Sequence, residues 1–198
     1  MNLILASASP RRQELLRNAG VAFVEKPAKI LEQHQPGESP EVCVRRLARE
    51  KAQAVARETT AMNAVLAADT EVVLDLEMGI PLGKPCDAQD ALRMLRLLRG
   101  RRHYVVTGVC LMWCDGNLHW TSVDAAETTL VRMDEISDEE VRAYVAGGEP
   151  MDKAGAYAIQ GIASRWVSHI EGCYFNVVGL PVPLVYRMLK KHVPQLLS

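Results

Sequence analysis

The sequence predicts an α/β fold in which one mixed β-sheet carries flanking helices, within a single domain spanning residues 1–198. Short apolar runs of strand length alternate irregularly with segments whose apolar residues recur at helical spacing, which fits a mixed sheet with flanking helices better than a uniformly parallel one. The stretches 103–114 and 118–133 flank the turn residues Asp115-Gly116-Asn117. That is the pattern of a long hairpin, and it brings antiparallel pairing into the sheet. Of the 198 residues, 48% are apolar, enough to bury a sizeable core in one compact unit.

The elements follow in order. Leu3 to Ala6 reads as a short buried strand, and Ser9-Pro10 is a cap followed by the residue that best suits a first helical position, so a helix starts at Pro10 and stops at Gly20. Val21 to Val24 reads as a second strand. The polar, proline-bearing stretch from Lys26 to Glu38 is a long loop of the kind that tends to carry function. Ser39-Pro40 repeats the cap signal and opens a helix to about Glu58, with Val44, Leu47, Ala48, Ala52 and Val55 on one face.

Ala64 to Ala68 is an apolar strand ending at Asp69-Thr70, with Glu71 to Leu74 continuing it. Asp87 caps a helix rich in leucine and arginine that Gly100 terminates. After the hairpin, Ser137-Asp138-Glu139-Glu140 is a capping box for a helix ending at Gly147-Gly148, and the segment from Pro181 to His192 is a final amphipathic helix. There is no internal repeat and no low-complexity segment.

Charge and composition narrow the function classes. Lysine plus arginine number 23 and aspartate plus glutamate 24, so no global field is available to hold a nucleic acid polymer or a membrane surface, and an anion must be met locally. Cysteines at 43, 86, 110, 114 and 173 lack C-x-x-C spacing, which suits free buried thiols in a reducing, cytoplasmic setting. The N-terminal residues lack a signal-peptide pattern, and no run reaches the roughly 20 apolar residues of a membrane span. The five histidines lack zinc-site spacing, and neither a P-loop nor a G-x-S-x-G elbow occurs. The run Arg93, Arg96, Arg99, Arg101 and Arg102 has no interleaved aromatics and reads as a solvated face.

Candidate chemistry lies elsewhere. In Ser9-Pro10-Arg11-Arg12 two arginines occupy the first turn of a helix whose dipole prefers negative charge there, which is the makings of a phosphate site. Asp69 closes an apolar strand, where a sheet would hold a carboxylate rigidly at its edge. Glu32 in the long loop is the leading partner for it, because Mg²⁺ takes one or two carboxylates, waters and phosphate oxygens. Lys51 and Lys84 are further cations, the second held between Gly83 and Pro85. Taken singly, each has an ordinary reading: solvated arginines, a turn aspartate, an exposed loop glutamate, surface lysines.

Together they are more specific. Leu5-Ala6-Ser7-Ala8-Ser9-Pro10-Arg11-Arg12, then Ala68-Asp69-Thr70 and Gly83-Lys84-Pro85, resemble blocks of the Maf family of nucleotide pyrophosphatases. The blocks His103-Tyr104-Val105-Val106-Thr107-Gly108, Lys153-Ala154-Gly155-Ala156-Tyr157-Ala158-Ile159-Gln160-Gly161 and Asn176-Val177-Val178-Gly179-Leu180-Pro181 continue the likeness in the family's order over nearly the whole chain. The resemblance implies a two-lobed fold around an elongated mixed sheet, similar to the inosine triphosphatase architecture, with a nucleotide cleft between the lobes and homodimers common.

By position, Arg12, Glu32, Lys51, Asp69 and Lys84 match the family's working residues, with Ser9 in the phosphate-binding turn. The resemblance implies Asp69 as proton acceptor and Glu32 with Asp69 as holders of a divalent metal, Mg²⁺ first, with Mn²⁺ and Co²⁺ as alternatives. It ties substrate choice to Arg11, Thr70 and Gln160, which are of the dTTP and UTP type. A 7-methyl-GTP pyrophosphatase of the same family, or a nucleotide-binding regulator of cell division without catalysis, is the alternative. Two departures stand out: Leu31 precedes Glu32 where an acidic residue is frequent, and the segment from Asp75 to Leu82 is slightly long.

Overall fold

Period-two alternation along the strands sorts side chains onto two faces of one six-stranded sheet, in a computed structural model that describes residues 1–59, 62–77, 81–114 and 119–197. The strands are β1 (Asn2–Leu5), β2 (Val24–Glu25), β3 (Asn63–Val73), β4 (Arg102–Cys114), β5 (Trp120–Met133) and β6 (Val167–Glu171), in spatial order β2-β1-β3-β4-β5-β6. β1 pairs in parallel with β2 and β3, and every pairing from β3 to β6 is antiparallel. The mixed sheet expected from the hairpin is thus the one formed, with Cys114 opposite Trp120 at the hairpin's end. Its expected turn, Asp115-Gly116-Asn117, and part of the segment from Asp75 to Leu82 lie outside the described residues.

Helices form where the caps foretell them: α1 (Pro10–Asn18), α2 (Pro40–Arg57), α3 (Ala88–Leu98), α4 (Asp138–Ala146), α5 (Tyr174–Val178) and α6 (Val182–His192). Ser39 and Asp87 accept from the backbone N–H groups of Val42 and Asp90, and Ser137 with Glu140 completes the capping box. α2 lies over one face, against Ile4, Ala6, Val65, Ala67, Cys110 and Met112. The opposite face, with Leu3, Leu5, Leu66, Val109 and Leu111, packs against Leu16 of α1, Leu95 of α3, Val141 of α4 and Leu189 of α6. Full burial of each such leucine stabilises the fold by about 1.5–3 kcal/mol.

Four expectations need correction. The second strand is Val24–Glu25 rather than 21–24, because the amide of Val21 is taken by Leu16 O at the left-handed Gly20 that closes α1, so pairing with β1 begins later. Asp69 does not close its strand: β3 runs on to Val73. Arg96 and Arg99 are not simply solvated, since both grip Asp138 and tie α3 to α4. Cys43, Cys110 and Cys114 are free and buried as expected, but Cys86 is exposed. The segments forming β6 and α5 carried no period that assigned them.

Gly108 sets the height of α2 over the sheet. A Cβ there would stand 2.3 Å from the carbonyl carbon and oxygen of Val44, so only glycine lets the helix come this close. Gly108 is the cross-strand neighbour of Asp69. The close approach therefore falls at the level of the candidate acid. Among the described residues, no helix is long and apolar enough to cross a membrane.

Candidate active site

The site grows from a step in the sheet. β1 ends at Leu5, opposite Leu66, and Ala6 donates the last amide to Leu66 O at 2.8 Å. β3 continues with β4 on one side only, which leaves the carbonyl of Ala68 open at the other edge. Arg12, from the first turn of α1, fills that need: Nη1 donates to Ala68 O at 2.7 Å, Nη2 to Thr70 Oγ1 at 2.9 Å and Nε to Gly179 O at 2.8 Å. Burial draws its pKa below the usual arginine value, against the charges of Asp69 and Glu32, yet the guanidinium stays protonated. Most of its fork is committed to protein acceptors, so Arg12 stitches α1, β3 and the end of α5 together, and the sequence-based picture of a free phosphate clamp is corrected here.

Ser9 is the N-cap residue of α1 as expected, but the hydroxyl that braces the turn is that of Ser7. Its buried Oγ accepts from the amide of Ser9 at 3.2 Å and from Arg12 Nη1 at 3.3 Å, whereas Ser9 makes no side-chain cap bond. The Ser9 residue still lines the cleft.

Past the step, Asp69 points toward α2, where Lys51 is buried at 7% exposure. Lys51 Nζ donates to Asp69 Oδ1 at 2.6 Å and lies 2.8 Å from Glu32 Oε1. Residues 32, 51 and 69 therefore meet on one ammonium, and the long loop is brought onto the strand as the reading of Glu32 required. Burial works to raise the Glu32 pKa, but the hydrogen bond and charge of Lys51, with Lys84 and Arg12 behind them, hold it below the usual carboxylate range.

These side chains line a cleft of roughly 350 Å³. Lys84 reaches it from an exposed turn that is clamped on both sides: Leu82 N donates to Val72 O at 2.7 Å, and Gly155 N donates to Leu82 O at 2.9 Å. Gly155 sits at φ +69°, and a Cβ would meet the Val72 methyls at 3.0 Å, so this glycine is required by both conformation and space. Arg11 lines the cleft 3.7 Å from Asp152, and Thr70 lines it with its hydroxyl bonded to Arg12 and Thr107. Lys153 and Tyr157, which the motif block contained but to which no role was assigned, also line it. Gln160 does not: it is exposed and outside the cleft wall, so the three positions tied to substrate choice are not gathered by this structure.

The donor set suits a hard divalent cation. Lys51 engages one oxygen each of Glu32 and Asp69, and the remaining carboxylate oxygens are ligands of the kind that Mg²⁺ prefers. The arrangement as a whole sets the cations of Lys84, Arg11 and Lys153, the last two shared with Asp152, along the cleft that also holds the Asp69 carboxylate.

An α/β protein with a cationic cleft built around a paired acidic centre belongs to the class that handles small phosphate-bearing anions. Residues 2–192 match the family described as Maf, Maf-like protein, and the chain belongs to that family. It is 54% identical over 191 residues to a dTTP/UTP pyrophosphatase of Koribacter versatilis (strain Ellin345), covering 96% of this chain and 94% of that protein. A dTTP/UTP pyrophosphatase of Syntrophomonas wolfei subsp. wolfei is 49% identical over 187 residues, with 94% and 95% covered. One from Shigella sonnei is 47% identical over 188 residues, with 95% and 91% covered. A solved nucleoside-triphosphatase / dITP/XTP pyrophosphatase from Mycobacterium abscessus overlaps 69% of this chain and 76% of its own at 18% identity with a TM-score of 0.44, too slight a likeness to argue from.

Proposed function

We propose that this chain is a nucleoside triphosphate pyrophosphatase that hydrolyses dTTP and UTP to the monophosphate and pyrophosphate. The observation that carries the reading is the convergence of Asp69 and Glu32 on Lys51 inside a cleft lined by further cations. The substrate class is supported by three relatives, each named dTTP/UTP pyrophosphatase and aligned over nine-tenths or more of both chains. In this reading the chain is one domain with the nucleotide held between two lobes. The ligand is a small molecule rather than a polymer, in keeping with a net charge of −1 and a cleft of roughly 350 Å³.

Asp69 orients a water at the α-phosphorus and takes its proton as the new P–O bond forms, while the bond from the α-phosphorus to the bridging oxygen breaks and pyrophosphate departs. Lys51 holds Asp69 in place through the 2.6 Å bond to Oδ1. Lys84, Lys153 and Arg11 face the charge that gathers on the leaving group, and Arg12 positions the turn that carries Ser9. Glu32 and Asp69 would hold a divalent cation, which would supply further charge neutralisation at the triphosphate.

The test is the purified chain with Mg²⁺ and a panel of dTTP, UTP, dCTP, GTP and 7-methyl-GTP, read as pyrophosphate released. dTTP and UTP are expected to turn over fastest. A clear preference for 7-methyl-GTP, or nucleotide binding with no pyrophosphate release, overturns the proposal.

A further inference from the structure

Two residues beyond Asp69, on the same face of β3, Glu71 meets a group of side chains that the proposed chemistry does not use. His34 Nε2 lies 2.9 Å from Glu71 Oε1, and the buried Cys43 thiol, in the first turn of α2, faces the same carboxylate. His34, Glu38 and Cys43 offer ligand atoms that all lie within 4.8 Å of one another. Glu71 is only 7% exposed, and its Oε2 is buried without a hydrogen-bond partner among the described residues. Buried polar atoms are almost always partnered, and here the imidazole takes only Oε1 while a weakly donating thiol is all that faces the carboxylate otherwise, so Glu71 has bonding capacity left for a ligand.

We infer that His34, Glu38, Cys43 and Glu71 form a second cation site, selective for Zn²⁺ or another thiophilic divalent ion and distinct from the oxygen donors at Glu32 and Asp69. An imidazole, a thiolate and carboxylates make the mixed set that binds zinc, whereas Mg²⁺ has little use for sulfur or nitrogen. Tetrahedral zinc, with bonds of about 2.0–2.3 Å, holds its ligand atoms roughly 3.3–3.8 Å apart. The atoms offered by His34, Glu38 and Cys43 lie within 4.8 Å of one another, and the exposed His34 is the ligand placed to close the remainder.

Burial, with Glu71 beside it, pushes the Cys43 thiol up, so a thiophilic ion would displace its proton on binding. Arg46 grips both oxygens of Glu38 at 2.6 Å. Arg46 also orients Glu38 from behind, as outer partners of metal ligands do.

Local structure explains how residues from three elements meet. Glu38 N donates to Gln35 O, Gln35 N donates to Glu38 Oε2, and Gly37 sits at φ +80°, so the loop folds into a tight turn that brings His34 and Glu38 to one side. The turn belongs to the loop that carries Glu32. A cation here would tie that loop to α2 and to β3 beside Asp69, fixing Glu32 without touching it. The inference does not depend on the pyrophosphatase reading, since the site's donors and its tests are its own.

The experiment uses the full chain stripped of metal and titrated with Co²⁺, then Zn²⁺. Co²⁺ should give a thiolate-to-cobalt charge-transfer band in the near ultraviolet that Zn²⁺ abolishes by displacement, and Zn²⁺ should raise Tm. Asp69→Asn should keep both responses. Cys43→Ser should lose the band. Because that buried variant is open to misfolding, His34→Gln, at the surface, is the second arm: it should weaken Zn²⁺ in chelator competition by about tenfold or more and remove the Tm shift. No band in the parent chain, a band that survives in both variants, or a Zn²⁺ response lost in Asp69→Asn but kept in His34→Gln would each overturn the site.

Discussion

Asp69 and Glu71 stand two residues apart on one face of β3, at 6% and 7% exposure, beneath the same helix. Over Asp69 the helix presents Lys51, with Nζ at 2.6 Å; over Glu71 it presents the Cys43 thiol, and the loop adds His34 at 2.9 Å. Burial pushes the Glu71 pKa up, because a titratable imidazole and a thiol answer its charge less firmly than a permanent ammonium does. Equal burial on one strand thus yields two environments. The partner delivered by α2 decides whether a carboxylate is answered by an ammonium or left beside an imidazole and a thiol.

That contrast is breakable, beginning with the largest effect. Asp69→Asn should lower kcat by about 10²–10⁴ while the fold persists, and Glu71→Gln should leave pyrophosphate release within a few-fold of the parent. Equal losses in the two variants would erase the distinction. Lys51→Met leaves Asp69 buried without its cation and should cost about 3–5 kcal/mol in urea unfolding. A cost well below 1 kcal/mol would mean that Lys51 is not what holds the carboxylate in place.

Gly108→Ala tests the closeness of α2 itself. Its Cβ would collide with the Val44 carbonyl, so a loss of about 1–3 kcal/mol is expected, together with reduced turnover as Lys51 lifts from Asp69. The smallest effect sharpens how α2 is moored at its outer face. There Arg45 and Arg49 both bond Asp124 of β5; burial works to raise the Asp124 pKa, but these two bonds hold it below its ordinary value of 3.8. A depressed carboxylate stabilises the fold fully above its unfolded value and loses that contribution as pH falls through the folded one. Asp124→Asn should therefore flatten the acid limb of stability below about pH 4, and an unchanged limb in urea titrations across that range would remove Asp124 from the mooring.

Much of the fold was legible because its signals are local. The caps at Ser39, Asp87 and Ser137 and the left-handed Gly20 and Gly100 act within a few residues, and the helices form where they stand. The candidate site was legible in part. Asp69, Lys51, Glu32, Lys84, Arg11 and Arg12 do line one cleft. The commitments of Arg12 to Ala68, Thr70 and Gly179 were not, since they depend on a strand edge that appears only when β1 ends short of β3. His34, Glu38, Cys43 and Glu71 come from a loop, a helix and a strand, so no spacing rule linked them, and the scattered histidines concealed the cluster. Gln160 was assigned by its motif and stands outside the cleft wall.

By itself the sequence determined where the capped helices and the long strands form and which charged side chains are on offer, because hydrogen bonding, capping and apolar period are settled between near neighbours. Only the tertiary structure decided which buried carboxylate received a lysine and which received a histidine and a thiol. That choice depends on the register and height at which α2 seats on the sheet, set by burial on both faces and by the missing side chain at Gly108.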